Sequence, residues 1–265
     1  MSLPLNIAIL GAEDPAAAQE FYTAVLAPRV QDYGGFSRLG LHGAGDLGIT
    51  DASALAAEAG VSAEGSGFGG YIVSYVMEQP SEVVAVVDAA AAAGAEILKP
   101  AKKALFGSFS GAFRAPDGAV WKVSCERKKD TAAAKSPAVP TETGILLGVE
   151  DPKASKTFYT ALGMETDRDY GATYIDFTVT AGSLRLGLMR RRDLAKDVGL
   201  SPEGSGFGRL VLSHDAVSAD EVEAVLSRAE QAGAEITVPP AAQEWGGHVG
   251  CFTDPDGMVW KIASA

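Results

Sequence analysis

Two lysines, Lys122 and Lys261, each directly follow a tryptophan in the pattern Pro-Asp-Gly-x-Val-Trp-Lys, at 116–122 and 255–261. Side chains alternate along a strand, so each lysine shares a face with Val120 or Val259 while Trp121 and Trp260 take the other. A lysine turned into a cavity would attract an anionic or carbonyl ligand, or serve as an amine of lowered pKa. The competing reading is a strand-end lysine that carries its ammonium out to water. Only three histidines occur, His42, His214 and His248, and none has a neighbour at metal-ligand spacing. His248 is the best placed for proton transfer, since imidazole titrates near pH 6.5. Lys122, Lys261 and His248 are therefore the catalytic candidates. Cys251 follows His248 by three residues, which puts the two on opposite strand faces and argues against a Cys–His nucleophile.

Further side chains could line a binding site. Tyr71 and Tyr75 fall on the same predicted inward face as Lys122, where they would stack on a flat ligand or simply fill space. Phe106 and Trp245 hold matching places before the penultimate strand of each copy, as cavity rims or as core caps. His214 shares a strand face with Leu210. The glycines of GSGFGG, 65–70, are followed by no phosphate-loop Lys-Ser/Thr, and a tight connection explains them as well. Arg190-Arg191-Arg192 reads as a solvated loop or an anion contact.

The elements that must position these residues follow from a repeat. Glu-Asp-Pro and Phe-Tyr-Thr-Ala at 13–15 and 21–24 recur at 150–152 and 158–161. EGSGFG at 64–69 recurs at 203–208, and AGAEI at 93–97 recurs at 232–236. The offset is 137 residues early and 139 later, so the 265-residue chain is a tandem duplication. ERKKDTAAAKSPAVPTET between the copies lacks apolar periodicity and reads as a solvated linker. The expected division is 1–125, linker 126–143 and 144–265. Within each copy a strand leads to Asp-Pro, a helix start, and the helix runs to Leu26 or Leu162. Short strand-like runs follow, then a strand at Tyr71–Val76 or Leu210–His214. A second helix buries Val83, Val86, Val87 and Ala90, or Val222, Val225, Leu226 and Ala229. The expectation is an α+β fold of paired βαβββ modules, four in all.

Acidic residues outnumber basic ones 34 to 22, giving a net charge of −12 and a sequence pI near 4.7. Such a surface argues against nucleic acid or an anionic membrane as partner. No hydrophobic run approaches a membrane span, and no signal peptide is legible. Two cysteines, Cys125 and Cys251, suit a reducing cytoplasm.

With Phe-Tyr on the first helix and a closing (D/A)-P-D-G-x-x-W strand in both copies, the chain resembles the vicinal oxygen chelate superfamily. That superfamily includes glyoxalase I, extradiol dioxygenases, fosfomycin-resistance enzymes and bleomycin-resistance proteins. The resemblance implies curved sheets enclosing a cavity, where most catalytic members hold a divalent metal. It places the metal ligands at Ile7 and Gly144, at Tyr71 and Leu210, around Ile49 and Leu188, and at Lys122 and Lys261. Ile, Gly and Leu offer no donor, and a protonated Lys repels a cation. The expectation is a glyoxalase-like protein without cofactor that binds a small aromatic or anionic molecule, as a monomer carrying an internal pseudo-dimer or as a homodimer. The alternative is a family enzyme, lactoylglutathione-lyase-like or dioxygenase-like. It would depend on metal through other residues, or act without metal through Lys and His acid–base groups.

Overall fold

The first helix of each copy begins where Asp meets Pro. The carboxylate of Asp14 accepts the amide of Ala17 at 3.0 Å, that of Asp151 accepts the amide of Lys153 at 3.0 Å, and each proline takes the first helical turn. The computed structural model describes residues 3–103, 108–244 and 246–265; Phe106 and Trp245 lie outside the described residues.

Four βαβββ modules follow one another. The first is β1 (Ile7–Ala12), α1 (Pro15–Leu26), β2 (Arg29–Asp32), β3 (Phe36–Gly40) and β4 (Asp46–Asp51), continued by a short helix α2 (Ala52–Glu58) and β5 (Gly65–Gly67). The second is β6 (Tyr71–Val76), α3 (Pro80–Ala92), β7 (Glu96–Lys103), β8 (Phe109–Arg114) and β9 (Val120–Cys125). The third is β10 (Glu142–Val149), α4 (Pro152–Ala161), β11 (Thr166–Asp169), β12 (Ile175–Phe177) and β13 (Arg185–Arg190), continued by α5 (Arg191–Val198) and β14 (Gly204–Gly206). The fourth is β15 (Leu210–Ala216), α6 (Ala219–Gln231), β16 (Glu235–Ala242), β17 (His248–Thr253) and β18 (Val259–Ser264).

The strands form two eight-stranded sheets, and each sheet takes one module from each copy. In the first sheet β1 pairs with β15, so module one joins module four; in the second β6 pairs with β10, so module two joins module three. The copies are thus welded through both sheets. Each copy in turn coheres through its helices, since α1 meets α3 and α4 meets α6. One hydrophobic core covers these helix-bearing faces of both sheets. The inner faces, turned away from the long helices, carry α2 and α5 instead. Leu55, Ala56 and Ala59 lie on Ile7, Ile9, Val211 and Val259, and Leu194, Ala195 and Val198 lie on Ile72, Ala112, Val120 and Leu146.

The chain crosses from one sheet to the other twice, at the two EGSGFG stretches. There β5 and β14 pair antiparallel, Ser66 opposite Ser205, with the hydroxyls 3.5 Å apart on a local pseudo-twofold axis. The linker reads differently from a free tether. Its side chains are exposed from 126 to 137, while Pro140 and Thr143 are buried, and its backbone docks on the start of α3: Gln79 accepts the amides of Thr131 and Ala132 at 3.0 and 3.2 Å. The last linker residues, Glu142 and Thr143, already belong to β10.

Candidate functional site

Residues directly opposite one another in a sheet share a face, so the registers assign each candidate to a side. Across the first sheet the row Lys261, Ser213, Ile7, Asp46 lies on the inner face. Across the second the row is Lys122, Ser74, Gly144, Arg185. Val73 stands opposite Trp121, which puts Tyr71, Val73 and Tyr75 on the helix-bearing side and not beside Lys122. The expectation for Tyr71 and Tyr75 was off by one residue, and a one-residue slip turns a strand over. Counting seven residues back from the helix caps Gln79 and Ser218 gives Ile72 and Val211 as the inward positions, in place of Tyr71 and Leu210. Ile49 and Leu188 likewise sit in the helix-side core, so their inward counterparts are their neighbours Gly48 and Gly187.

The implied metal positions therefore carry Ile, Val and Gly beside the two lysines, a set that does not fit a divalent ion. Among the described residues no group of three or more His, Cys, Asp or Glu stands close enough to hold one. Both lysines have a different use. Lys122 Nζ lies 2.5 Å from Asp197 near the end of α5, and Lys261 Nζ pairs with Glu58 at the end of α2. Each short helix is thus fastened to the inner face by an apolar patch and one ion pair. The lysine side chains are 23% and 19% exposed, and each ammonium is held by its carboxylate.

The remaining sequence-predicted residues scatter. His214 is buried on the helix side, where Nδ1 sits 3.1 Å from both the Pro4 carbonyl and Asn6 Oδ1. His248 Nε2 lies 3.7 Å from Glu223 of α6, on the face opposite Cys251 and Lys261. Tyr75 is fully buried, and its hydroxyl has no hydrogen-bond partner among the described residues. Lys122, Lys261 and His248 stand on two sheets and two faces, so they form no joint acid–base set.

The motif residues instead build a hydrogen-bonded chain in each copy. Trp121 Nε1 donates to Tyr22 Oη at 3.3 Å, and Tyr22 donates to Asp117 at 2.7 Å. In the second copy Trp260 donates to Tyr159 at 3.3 Å, and Tyr159 donates to Asp254 at 2.5 Å. The Phe-Tyr and Pro-Asp-Gly-x-x-Trp motifs recur together because they are two ends of one buried contact. Burial pushes the Asp254 carboxyl up to about 6. A folded-state pKa above the unfolded value favours the fold while the group is protonated in both states. That contribution is lost as pH rises from about 4 to about 6. It amounts to about 3 kcal/mol at 1.36 kcal/mol per pKa unit. Asp254→Asn is expected to flatten this part of the stability–pH curve, measured by urea unfolding between pH 4 and 8; an unchanged curve would refute the assignment.

Two cavities flank the β5–β14 crossing. One, of about 500 Å³, is walled by Leu10, Phe68, Phe207 and Leu200 and presents Tyr71, Arg114, Asp117 and Arg209. The other, of about 430 Å³, is its pseudo-symmetric mate, bordered by Leu147, Leu210, Thr253, Asp256, Gly70 and Arg191. Both volumes lie in the range that small-molecule sites occupy. In the larger cavity Asp117 accepts the amide of Ala119 at 3.0 Å besides the Tyr22 hydroxyl. Burial raises the Tyr71 phenol far above its ordinary pKa, and the nearby Asp117 adds to this while Arg209 opposes it, so Tyr71 stays a neutral donor. Arg209 has φ 58°, a left-handed backbone that Gly70 adopts in the mate at 80°. Arg209 lines this cavity, and its guanidinium pairs with the exposed Glu13 at 2.8 Å. In the mate, Arg191 is spent on the crossing itself, donating to the carbonyls of Phe68, Pro202 at 2.9 Å and Gly204 at 3.3 Å. Sequence reasoning found Tyr71 but missed Arg209, Arg114 and Asp117. The signal was available in the aligned copies, where one glycine of the repeated crossing is matched by an arginine.

A crystal structure of glyoxalase I from Zea mays superposes on 99% of this chain and 92% of its own, with TM-score 0.65 and 18% identity, a likeness of fold. A glyoxalase-related enzyme from Fulvimarina pelagi is 28% identical over 45% of this chain and 84% of its own, with TM-score 0.40. No curated protein matches the chain. The sequence pattern of one family matches twice, over residues 5–123 and 143–262. Two repeats, each a pair of βαβββ modules, therefore make this chain a member of the Glyoxalase/Bleomycin resistance protein/Dioxygenase superfamily.

Proposed function

We propose that this chain is a metal-independent, ligand-binding member of the superfamily, and that a small molecule occupies the cavity beside Tyr71. The observation that carries the reading is a division of labour between the faces. The inner faces are covered by α2 and α5 and hold lysine–carboxylate pairs at the implied metal positions. The cavity of about 500 Å³, by contrast, offers an aromatic and aliphatic wall with Tyr71, Asp117 and Arg209 converging on it. The pairing of the copies through both sheets supports a monomer that contains its own pseudo-dimer. Cys125 and Cys251, buried and unpaired, suit the cytoplasm.

A ligand that binds only the folded state stabilises it by about 2.7 kcal/mol at a hundredfold excess over its Kd. Thermal unfolding with a panel of small aromatic and carboxylate compounds is expected to show saturable stabilisation. Tyr71→Leu, which installs the residue of the second copy, is expected to weaken it at least tenfold. Stabilisation that Tyr71→Leu leaves untouched, or a panel without effect, would contradict the proposal.

A further inference from the structure

Within the binding reading just given, on which this rests, we infer that the cavity beside Tyr71 takes a small apolar monocarboxylate, with the carboxylate on Arg209, and that its pseudo-symmetric mate takes none. Duplication supplies an internal comparison. The scaffold of the two cavities is the same, down to Leu10 and Gly11 against Leu147 and Gly148. The three polar groups that could receive an oxyanion are not: Tyr71, Arg114 and Arg209 are matched by Leu210, Thr253 and Gly70.

The backbone at Arg209 sharpens the contrast. An arginine is held at φ 58° where the other copy uses glycine, so a disfavoured conformation accompanies one of the two cations that the mate lacks. Its present partner, Glu13, has a side chain 80% exposed, and such a pair is easily exchanged for a ligand carboxylate that binds the guanidinium in two-point fashion. Asp117, Glu203 and the pairing of Arg114 with Glu96 keep the cavity from being strongly positive. One negative charge on an apolar body is therefore what it accommodates. Phe68 and Phe207 close the apolar side.

Sodium benzoate serves as probe, with benzyl alcohol and benzylamine as the neutral and cationic counterparts, each titrated into the full ¹⁵N-labelled chain and followed by amide shifts. Benzoate is expected to saturate at one site per chain, moving the amides of Gly11, Tyr71 and Arg209. Arg209→Gln should weaken it at least tenfold, and Glu13→Gln should tighten it several-fold. Arg209→Gly should lose binding as fully while its Tm stays level or rises, a pairing that damage to the fold would not produce. Benzyl alcohol binding in this cavity as tightly as benzoate would overturn the anion inference and leave the binding reading standing. Benzoate affinity indifferent to Arg209→Gln would do the same. No binding by any of the three probes would overturn both.

Discussion

Replacing Gly206 by alanine is expected to lower stability by about 2–5 kcal/mol, among the largest effects of any one-methyl change in this chain. Gly206 has φ 75°, and a Cβ there would stand 2.2 Å from the carbonyl oxygen of Glu64 in the opposite crossing strand. The obstacle is backbone, so no rotamer change relieves it. The two strands would have to part at the point where both copies pass from sheet to sheet. Gly171 supplies the control: its φ is 67°, yet nothing lies within 4 Å of its Cβ position. Gly171→Ala should therefore cost only the left-handed backbone, roughly 1–2 kcal/mol. Urea denaturation of both variants separates the terms. Equal losses would mean that the crossing yields readily to the added methyl.

Charge reversal at Lys122 is the second large effect. Lys122→Glu would set two carboxylates together where an ion pair of 2.5 Å now fastens α5 to the inner face. An exposed pair contributes at most about 1 kcal/mol, while breaking a buried one costs 3–5 kcal/mol. With side chains 23% and 34% exposed, this pair lies between, and a loss of about 2–3 kcal/mol is expected. That corresponds to a Tm fall of roughly 4–12 °C for a chain of this size. The double variant Lys122→Glu with Asp197→Lys should recover most of it, because the partners merely exchange signs. Failure of the double variant to recover, with the single variant destabilised, would show that the lysine acts through packing of its stem and not through the pair.

Most of the architecture was legible because it is written twice. The duplicated motifs fixed the module order, and Asp-Pro and the 3.6-residue periodicity marked the helices. What local pattern cannot carry is which module pairs with which, since β1–β15 and β6–β10 join residues some 70 to 200 positions apart. The face of β6 was misjudged for a related reason. Its hydrophobic run, Tyr-Ile-Val-Ser-Tyr-Val, is apolar on both sides, since one face meets helices and the other meets α5, so alternation gives no phase. The short helix α2 was the larger omission: Ala52–Glu58 is poor in strong periodicity, and its role shows only when Glu58 reaches Lys261 across the sheet. Arg209 was invisible singly, because an arginine after a glycine-rich loop reads as solvated surface.

On the function proposed above, this superfamily fold binds its ligand without a metal, its inner faces being closed by lysine–carboxylate pairs. Metal content by plasma mass spectrometry, on protein purified without chelator or metal-affinity steps and then offered nickel, zinc, manganese and ferrous iron, tests it most directly. Metal at background and an unchanged Tm after each addition are the expected results. Near-stoichiometric retention of any of these ions, with a rise in Tm that Lys122 or Lys261 substitutions alter, would contradict it.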